Sequence, residues 1–199
     1  MATKKKGDPI PPKGSFAPPN NNDYQRPKSI NIGFTGSMDW DLPPDILNQA
    51  IRGCHNHLMA YIGQCRNAAE LSRYPIRVHV GDNPKGVDPM VIHYFTREHK
   101  IRTAVYGVNH HWRNLHEVFY PSQGEWITRI TGATGKDKSI FYQRDAYMLK
   151  WIQVLYAVWN GESKGTLAQY RAALKHPKIV PFLVRFEGSG WVIDKGIEI

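Results

Sequence analysis

Residues 76–94, IRVHVGDNPKGVDPMVIHY, place a strand, a turn and the beginning of a helix in close succession. The strand is indicated by alternating β-branched residues, Ile76, Val78 and Val80. Turn-forming residues dominate positions 81–86. The helix is indicated by residues at spacings of three and four, Val87, Met90, Val91 and Tyr94. A glycine-bearing loop that leads into a helix suits an anionic group, because free N–H groups and the helix dipole point at that loop.

Working outward, four further apolar segments predict strands, at residues 29–34, 101–108, 152–158 and 178–184. Helices are expected between them, after Pro43 and Pro44, over residues 139–149 and from Leu167 to His176. Alternating strands and helices indicate an α/β protein with a Rossmann-like parallel sheet of about five strands covered by helices on both faces. A C-terminal β-hairpin is expected around residues 187–190, and residues 125–130 fit either a short strand or an insertion.

Residues 1–28 form an extended, flexible arm in this interpretation, because proline and asparagine prevent a periodic apolar face. The arm holds six basic and two acidic residues, a net charge of +4. Two alternatives stay open for it. It is either a solvated tail or a segment that docks on a polyanion or on a second subunit, as in a homo-oligomer with exchanged arms. Residues 29–184 are expected to form the ligand-binding domain, and residues 185–199 the hairpin and tail.

Composition limits the class of protein and of partner. A chain of 199 residues, 41% hydrophobic, is expected to form one domain with a sizeable core. A net charge of +9 and a pI of about 9.6 favour an anionic partner such as a nucleotide, a nucleic acid or an acidic protein surface, unless the charge serves solubility alone. Two cysteines make no disulfide framework, which favours the cytoplasm. No membrane-spanning segment and no secretory signal are expected.

A metal site is not predicted, although Cys54, His55, His57 and Cys65 lie close together in the sequence. The apolar spacing of the helix turns Cys54 toward the core and the two histidines away from it. We therefore interpret Cys54 as a small core residue.

Three loops follow predicted strands, at residues 33–39, 81–88 and 159–166. Because ligands of parallel sheets bind outside the carboxyl ends of the strands, these loops are expected to converge on one cleft. The candidate ligand-binding residues are Gly33, Thr35, Gly36, Ser37, Gly81, Asp82, Gly86, Asp88, Arg144, Asn160, Gly161, Ser163, Gly165 and Thr166. Asp88 is expected either to hydrogen-bond ribose hydroxyls or to cap a helix. The aromatic and histidine residues of segment 109–120 fit either a wall for a base or a packed surface loop.

Four motifs in order carry a resemblance to a known group: GFTGS at 33–37, GDNPKGVD at 81–88, RDAYM at 144–148 and NGESKGT at 160–166. They resemble the SLOG superfamily, a Rossmann-like group that includes the DNA-processing protein of natural transformation and the Lonely Guy phosphoribohydrolases. The small bacterial and phage members are the most similar. The resemblance covers residues 30–184 and implies a nucleotide or nucleotide-derived ligand, with no cofactor required.

The same resemblance assigns roles to particular residues. Gly161, Gly165 and Thr166 match the phosphate loop of the family, and Arg144 matches its arginine before the helix methionine. These residue types suit phosphate, because glycine lets backbone N–H groups approach and arginine offers a bidentate fork. Gln169 stands where Lonely Guy enzymes have a catalytic glutamate, and an amide cannot act as a base. The catalytic residue is therefore unknown, with the candidates Asp39, Asp82, Asp88 and Asp145.

Three functions stay open on the sequence. The favoured one is binding of a nucleotide or nucleotide-derived ligand, with or without hydrolysis at an N-glycosidic or phosphoribosyl bond. The second is binding of single-stranded DNA, which the net charge of +9 and the aromatic residues favour. The third is a structural or interaction protein that retains the fold.

Overall fold

The computed structural model describes residues 29–40, 42–108, 124–129 and 139–197, with the backbone alone for 124–129. Its strands are β1 (Ile30–Gly36), β2 (Ile76–Gly81), β3 (Arg102–Val108), β4 (Gly124–Arg129), β5 (Val154–Val158), β6 (Val180–Glu187) and β7 (Gly190–Lys195). Its α-helices are α1 (Pro44–Gln64), α2 (Ala68–Leu71), α3 (Val87–His93), α4 (Ser139–Leu149) and α5 (Lys164–Leu174). A π-helical turn, Tyr94–Glu98, extends α3.

All seven strands belong to one sheet, in the order β4-β3-β2-β1-β5-β6-β7. Six strands run parallel, and β7 pairs antiparallel with β6. The chain leaves β1 toward β2, β3 and β4 on one side and later returns to place β5 and β6 on the other. The switch in strand order therefore lies between β1 and β5, which is where open α/β sheets form their ligand crevice.

Helices cover both faces of the sheet. The larger core cluster joins one face of the strands to α1 and α3, and Phe34, Cys54, Val91 and Tyr156 are among its buried members. Neighbouring strand residues such as Leu155 point the other way and pack under α4 and α5. The near-continuous burial of β5 follows from this arrangement, because a central parallel strand is covered on both sides.

The fold class predicted from the sequence is confirmed, with differences at the edges. β4 is a sixth parallel strand beside β3, at the segment where the sequence left a strand or an insertion open. The predicted C-terminal hairpin is present, with Gly188 at a φ of +60° in its turn. The first strand of the hairpin is the continuation of β6 beyond residue 184, so the hairpin belongs to the main sheet.

Cys54 is fully buried in the core, as predicted, and burial raises the pKa of its thiol. The predicted arm at residues 1–28, the aromatic segment 109–120 and the glycine-rich segment 131–138 lie outside the described residues. Among the helices that the structure describes, none combines the length and the apolar character that a membrane crossing requires.

Candidate functional site

A cleft of about 380 Å³ opens at the carboxyl ends of β1 and β2 and reaches the N-terminus of α5. We call it the first cleft and define it by Gly81, Asp88, Arg144, Gly165 and Thr166, which all line it. Three predicted loops and one face of α4 thus meet at one place. Apolar side chains complete its walls: Phe34, Met38, Phe141, Tyr142 and Met148.

A buried charge cluster forms the floor of the first cleft. The Arg144 guanidinium donates from Nη1 to Asp82 Oδ1 at 2.7 Å and from Nε to Asp145 Oδ1 at 2.8 Å. Its Nη2 lies 2.7 Å from the same Asp145 oxygen. Arg144 is only 4% exposed and Asp82 is fully buried. The arginine therefore holds two carboxylates in place, and its donors are directed at them.

Asp88 is the third carboxyl of this cluster. Its Oδ2 accepts a hydrogen bond from the Asn83 N–H at 3.0 Å, and the residue is 2% exposed. Burial raises the pKa of Asp88 to about 7, an effect that nearby Arg144 and the Asn83 N–H oppose and that Asp145 and Asp82 reinforce. A carboxyl group that changes charge near neutrality thus lies at the floor of the cleft.

Glycine at two positions lets the strand ends and the cluster pack this closely. A Cβ at Gly81 would lie 2.5 Å from Asp88 Oδ2 and 2.9 Å from Arg144 Nη2, so any larger residue would displace the cluster. Gly86 has a φ of +73° and packs against the Ser37 carbonyl, which brings the loop after β2 onto the loop after β1. The glycines of the loop at residues 81–88 therefore have a packing role.

One wall of the first cleft is formed by the N-terminus of α5. Ser163 is its N-cap, and its Oγ accepts from the Thr166 N–H at 3.4 Å and lies 3.0 Å from Thr166 Oγ1. Asn160 Oδ1 accepts from the N–H groups of Glu162 and Ser163. The space around the Gly165 Cα is open, since a Cβ built there would meet no atom within 4 Å. A ligand can therefore approach this backbone closely.

Gln169, one turn further along α5, also lines the first cleft and is 5% exposed. Its Nε2 is buried without a hydrogen-bond partner among the residues that the structure describes. A buried amide without an acceptor costs about 1–3 kcal/mol, so a ligand atom that accepts from Nε2 would be stabilised there.

The predicted residues do not all meet in one cleft. Those that line the first cleft are Thr35, Gly81, Asp88, Arg144, Ser163, Gly165 and Thr166, together with the catalytic candidate Asp145. Asp82 lies beneath it in the ion pair with Arg144. Gly33, in the central strand β1, packs against Ile152, and Gly36 packs against Val87. These two glycines are positions of close packing, away from the cleft.

Asp39, Asn160 and Gly161 line a neighbouring second cleft of about 470 Å³, which we define by Trp40, Trp159 and Phe186 with those three residues. The two clefts are separated by a ridge in which Ser37 and Asn160 are bonded to each other. Ser37 Oγ donates to Asn160 Oδ1 at 2.9 Å and accepts from the Asn160 N–H at 3.2 Å. Ser37 is only 1% exposed.

Sequence reasoning missed the aromatic walls of both clefts. Phe141, Arg144, Asp145 and Met148 recur at helical spacing along α4 and all line the first cleft. That spacing is the signal that could have found Phe141. Tyr142 is 53% exposed at the cleft, whereas Arg144 is buried.

Comparison with known proteins identifies no family for this chain. No family model matches the chain, and no curated protein matches it. The structure is similar to that of the Moco carrier protein from Chlamydomonas reinhardtii, with 18% sequence identity, 78% of this chain and 76% of that chain covered, and a TM-score of 0.44. A similarity of this size carries no argument about ligand or activity, and the likeness to the SLOG superfamily stays a resemblance.

Proposed function

We propose that the protein binds a nucleotide or a nucleotide-derived small molecule in the first cleft, with a phosphate at the N-terminus of α5. The observation that carries this proposal is that one cleft combines a helix N-terminus with a cluster of carboxyl groups. The start of α5 and the Asp88–Arg144–Asp145 cluster line the same cleft. A nucleotide fits both parts of this lining, because its phosphate can bind at the helix N-terminus while the hydrogen-bond donors of its sugar and base face the carboxyl groups.

In this proposal the phosphate binds to the backbone of α5. Lys164 and Gly165 carry first-turn N–H groups, for which helix geometry provides no acceptor within the helix. The helix dipole adds a partial positive charge at the same point, and the open space at Gly165 permits contact. Thr166, whose hydroxyl is hydrogen-bonded to Ser163 Oγ, lines the cleft at the same turn of the helix.

In this proposal the sugar and the base bind to carboxylates. Because Arg144 already donates to Asp82 and Asp145, we assign it the role of holding the carboxylates. Asp88 and Asp145 then accept hydrogen bonds from ligand hydroxyl or amino groups. The floor of the cleft holds one cation among three carboxyl groups, which disfavours a ligand that offers phosphates alone.

Gln169 favours binding over hydrolysis in this proposal. An amide in the cleft can donate to and accept from a ligand, but it cannot remove a proton as a carboxylate base does. Its buried Nε2 suits a ligand acceptor such as a ring nitrogen or a phosphate oxygen.

The proposal is tested by calorimetric titration of the full chain with adenosine monophosphate and, in parallel, with adenosine. We expect the nucleotide to bind at least tenfold more tightly, because charge-assisted hydrogen bonds to the phosphate contribute about 1.5–3 kcal/mol. Its affinity should change little with salt, since a mononucleotide releases few counterions. Equal affinity for the nucleoside and the nucleotide would contradict the claim that a phosphate binds at α5.

A further inference from the structure

The second cleft has aromatic walls that the proposed function does not use. Trp40 enters it from the loop after β1, Trp159 from the end of β5 and Phe186 from the end of β6. Its volume of about 470 Å³ accommodates a ring system of two fused rings. It lies at the same edge of the sheet as the first cleft, on the β6 side of the switch between β1 and β5.

The two indoles of this cleft are held in position by the protein itself. Trp159 Nε1 donates to the Ser163 carbonyl at 3.1 Å, and Trp40 Nε1 donates to the Ser37 carbonyl at 3.0 Å. Trp40 also packs edge-on against Trp191 with ring centroids 5.6 Å apart. Because both N–H groups are satisfied by backbone, the rings offer apolar surface to whatever enters, which is the preorganised surface that stacking requires.

Charge in the second cleft argues against phosphate and for a heterocycle with amino groups. Arg185 is its basic residue, and it is engaged by Glu187 at 2.8 Å and by Asp194 at 2.6 Å. Asp39 and Glu162 add two further carboxylates to the lining. An anionic group would meet more negative than positive charge there, whereas amino groups on a ring would find acceptors.

The N-terminus of α5 lies between the two clefts. Along the chain, Met38 lines the first cleft and Asp39 the second, while Ser163 lines the first and Glu162 the second. The ridge is therefore only a few residues wide. A phosphate bound at Lys164 and Gly165 lies beside both clefts, with one ring site on either side of it.

We infer that the second cleft receives the second ring of a dinucleotide, that is, of two nucleosides joined through phosphate. This inference rests on the proposed function, which places the first nucleoside and the phosphate in the first cleft. The position also agrees with the general behaviour of open α/β sheets, whose ligands span the crevice at the strand-order switch. Stacking on the fixed indoles supplies the extra affinity.

The experiment compares diadenosine diphosphate with adenosine monophosphate in calorimetric titrations of the full chain. We expect the dinucleotide to bind at least tenfold more tightly. In Trp159→Leu that advantage should disappear, while the affinity for the mononucleotide is unchanged. Trp40→Leu is a second variant that does not touch α5 and should give the same result. Trp151→Leu, at the start of the loop before β5, is the matched control and should bind both ligands like the wild type.

Equal affinity of the wild type for the two ligands would overturn the inference, as would an equal loss of both affinities in the Trp159 and Trp40 variants. Failure of the proposed function gives a different pattern. Dinucleotide binding that depends on Trp159, with no binding of the mononucleotide, would support the second cleft and overturn the assignment of the first. If neither ligand binds the wild type, both the proposed function and the inference about the second cleft are overturned.

Discussion

At the scale of single residues, Arg144 is the side chain on which the floor of the first cleft depends. It is buried between Asp82 and Asp145 and joins α4 to the end of β2. Burial tends to lower the pKa of its guanidinium, but Asp145, Asp88 and Asp82 outweigh that effect and raise it. The arginine thus stays charged, and its removal leaves carboxylates buried without compensation.

Arg144→Met should therefore destabilise the folded protein by about 3–5 kcal/mol at neutral pH, the usual cost of breaking a buried ion pair from one side. The measurement is urea denaturation, with exposed Arg73→Met as the control, which should change stability by no more than about 0.5 kcal/mol. Arg144→Lys should be intermediate, because an ammonium cannot serve both carboxylates in the same geometry. A loss below about 1 kcal/mol for Arg144→Met would contradict the assigned role.

Asp88 gives a pH dependence with a definite sign. Its pKa is about 7 in the folded protein and near the ordinary 3.8 in the unfolded chain, so between these values only the folded protein holds the proton. Asp88 therefore makes stability fall as the pH rises from about 4 to about 7, by at most about 1.4 kcal/mol per pH unit, with no further change above 7.

Asp88→Asn should remove this contribution, so the variant should gain stability relative to wild type as the pH rises from 5 to 8. Asparagine keeps an acceptor for the Asn83 N–H, and Arg144, Asp82 and Asp145 still face the position. Urea denaturation at pH 5, 6, 7 and 8 measures the difference. Exposed Asp45→Asn is the control and should follow the wild type. Parallel curves for Asp88→Asn and wild type would show that the carboxyl titrates normally.

At the scale of elements, sequence periodicity predicted most strands and helices, since each buried face repeats with the period of its element. The bounds of α4 agree at both ends with the predicted 139–149. β4 was left undecided because an edge strand has a neighbour on one side only, so its residues carry less of the apolar pattern that marks β5. Which side chains of α4 enter the cleft depends on how the helix is rotated on β2 and β3, and that rotation is a property of tertiary packing.

The Trp191 side chain connects the C-terminal hairpin to α1, as does the contact of Lys195 with Tyr61. Trp191 Nε1 donates to the Ile46 carbonyl at 2.9 Å, and the indole packs against Trp40 and Phe186. Trp191→Phe keeps an aromatic ring and removes the donor, so a loss of about 1 kcal/mol of unfolding free energy is expected. Trp151→Phe, at a partly exposed position, is the control and should be near neutral. Equal effects of the two substitutions would mean that the hydrogen bond contributes nothing.

At the scale of the whole molecule, the sequence predicted that the loops after the strands meet, because parallel strands bring their carboxyl ends to one edge. It did not predict that they form two clefts. The second cleft needs the end of β6, whose residues look like an ordinary hairpin strand in the sequence, and it needs Asn160 to bond to Ser37 across 123 positions of the chain.

The alternative of single-stranded DNA binding also belongs to this scale, since it depends on the basic arm. Removing residues 1–28 removes a net charge of +4. If the arm contacts DNA, log affinity for an oligonucleotide should fall with log salt at a slope of roughly 0.7 per contacted phosphate, and the deletion should flatten that slope. We expect weak, salt-sensitive DNA binding that depends on the arm, and nucleotide binding that the deletion leaves unchanged. DNA binding that persists at high salt without the arm would favour DNA over a nucleotide as the ligand.

The measurement that most directly tests phosphate binding at α5 is calorimetric titration of Gly165→Asp and Gly165→Asn with adenosine monophosphate. A Cβ at this position meets open space, and an acidic residue in the first turn of a helix is favourable, so both variants should fold. The carboxylate should lower nucleotide affinity at least tenfold by repelling the phosphate, while the isosteric amide should have a much smaller effect. Wild-type affinity in Gly165→Asp, with an intact circular dichroism spectrum, would contradict the claim that the phosphate binds there.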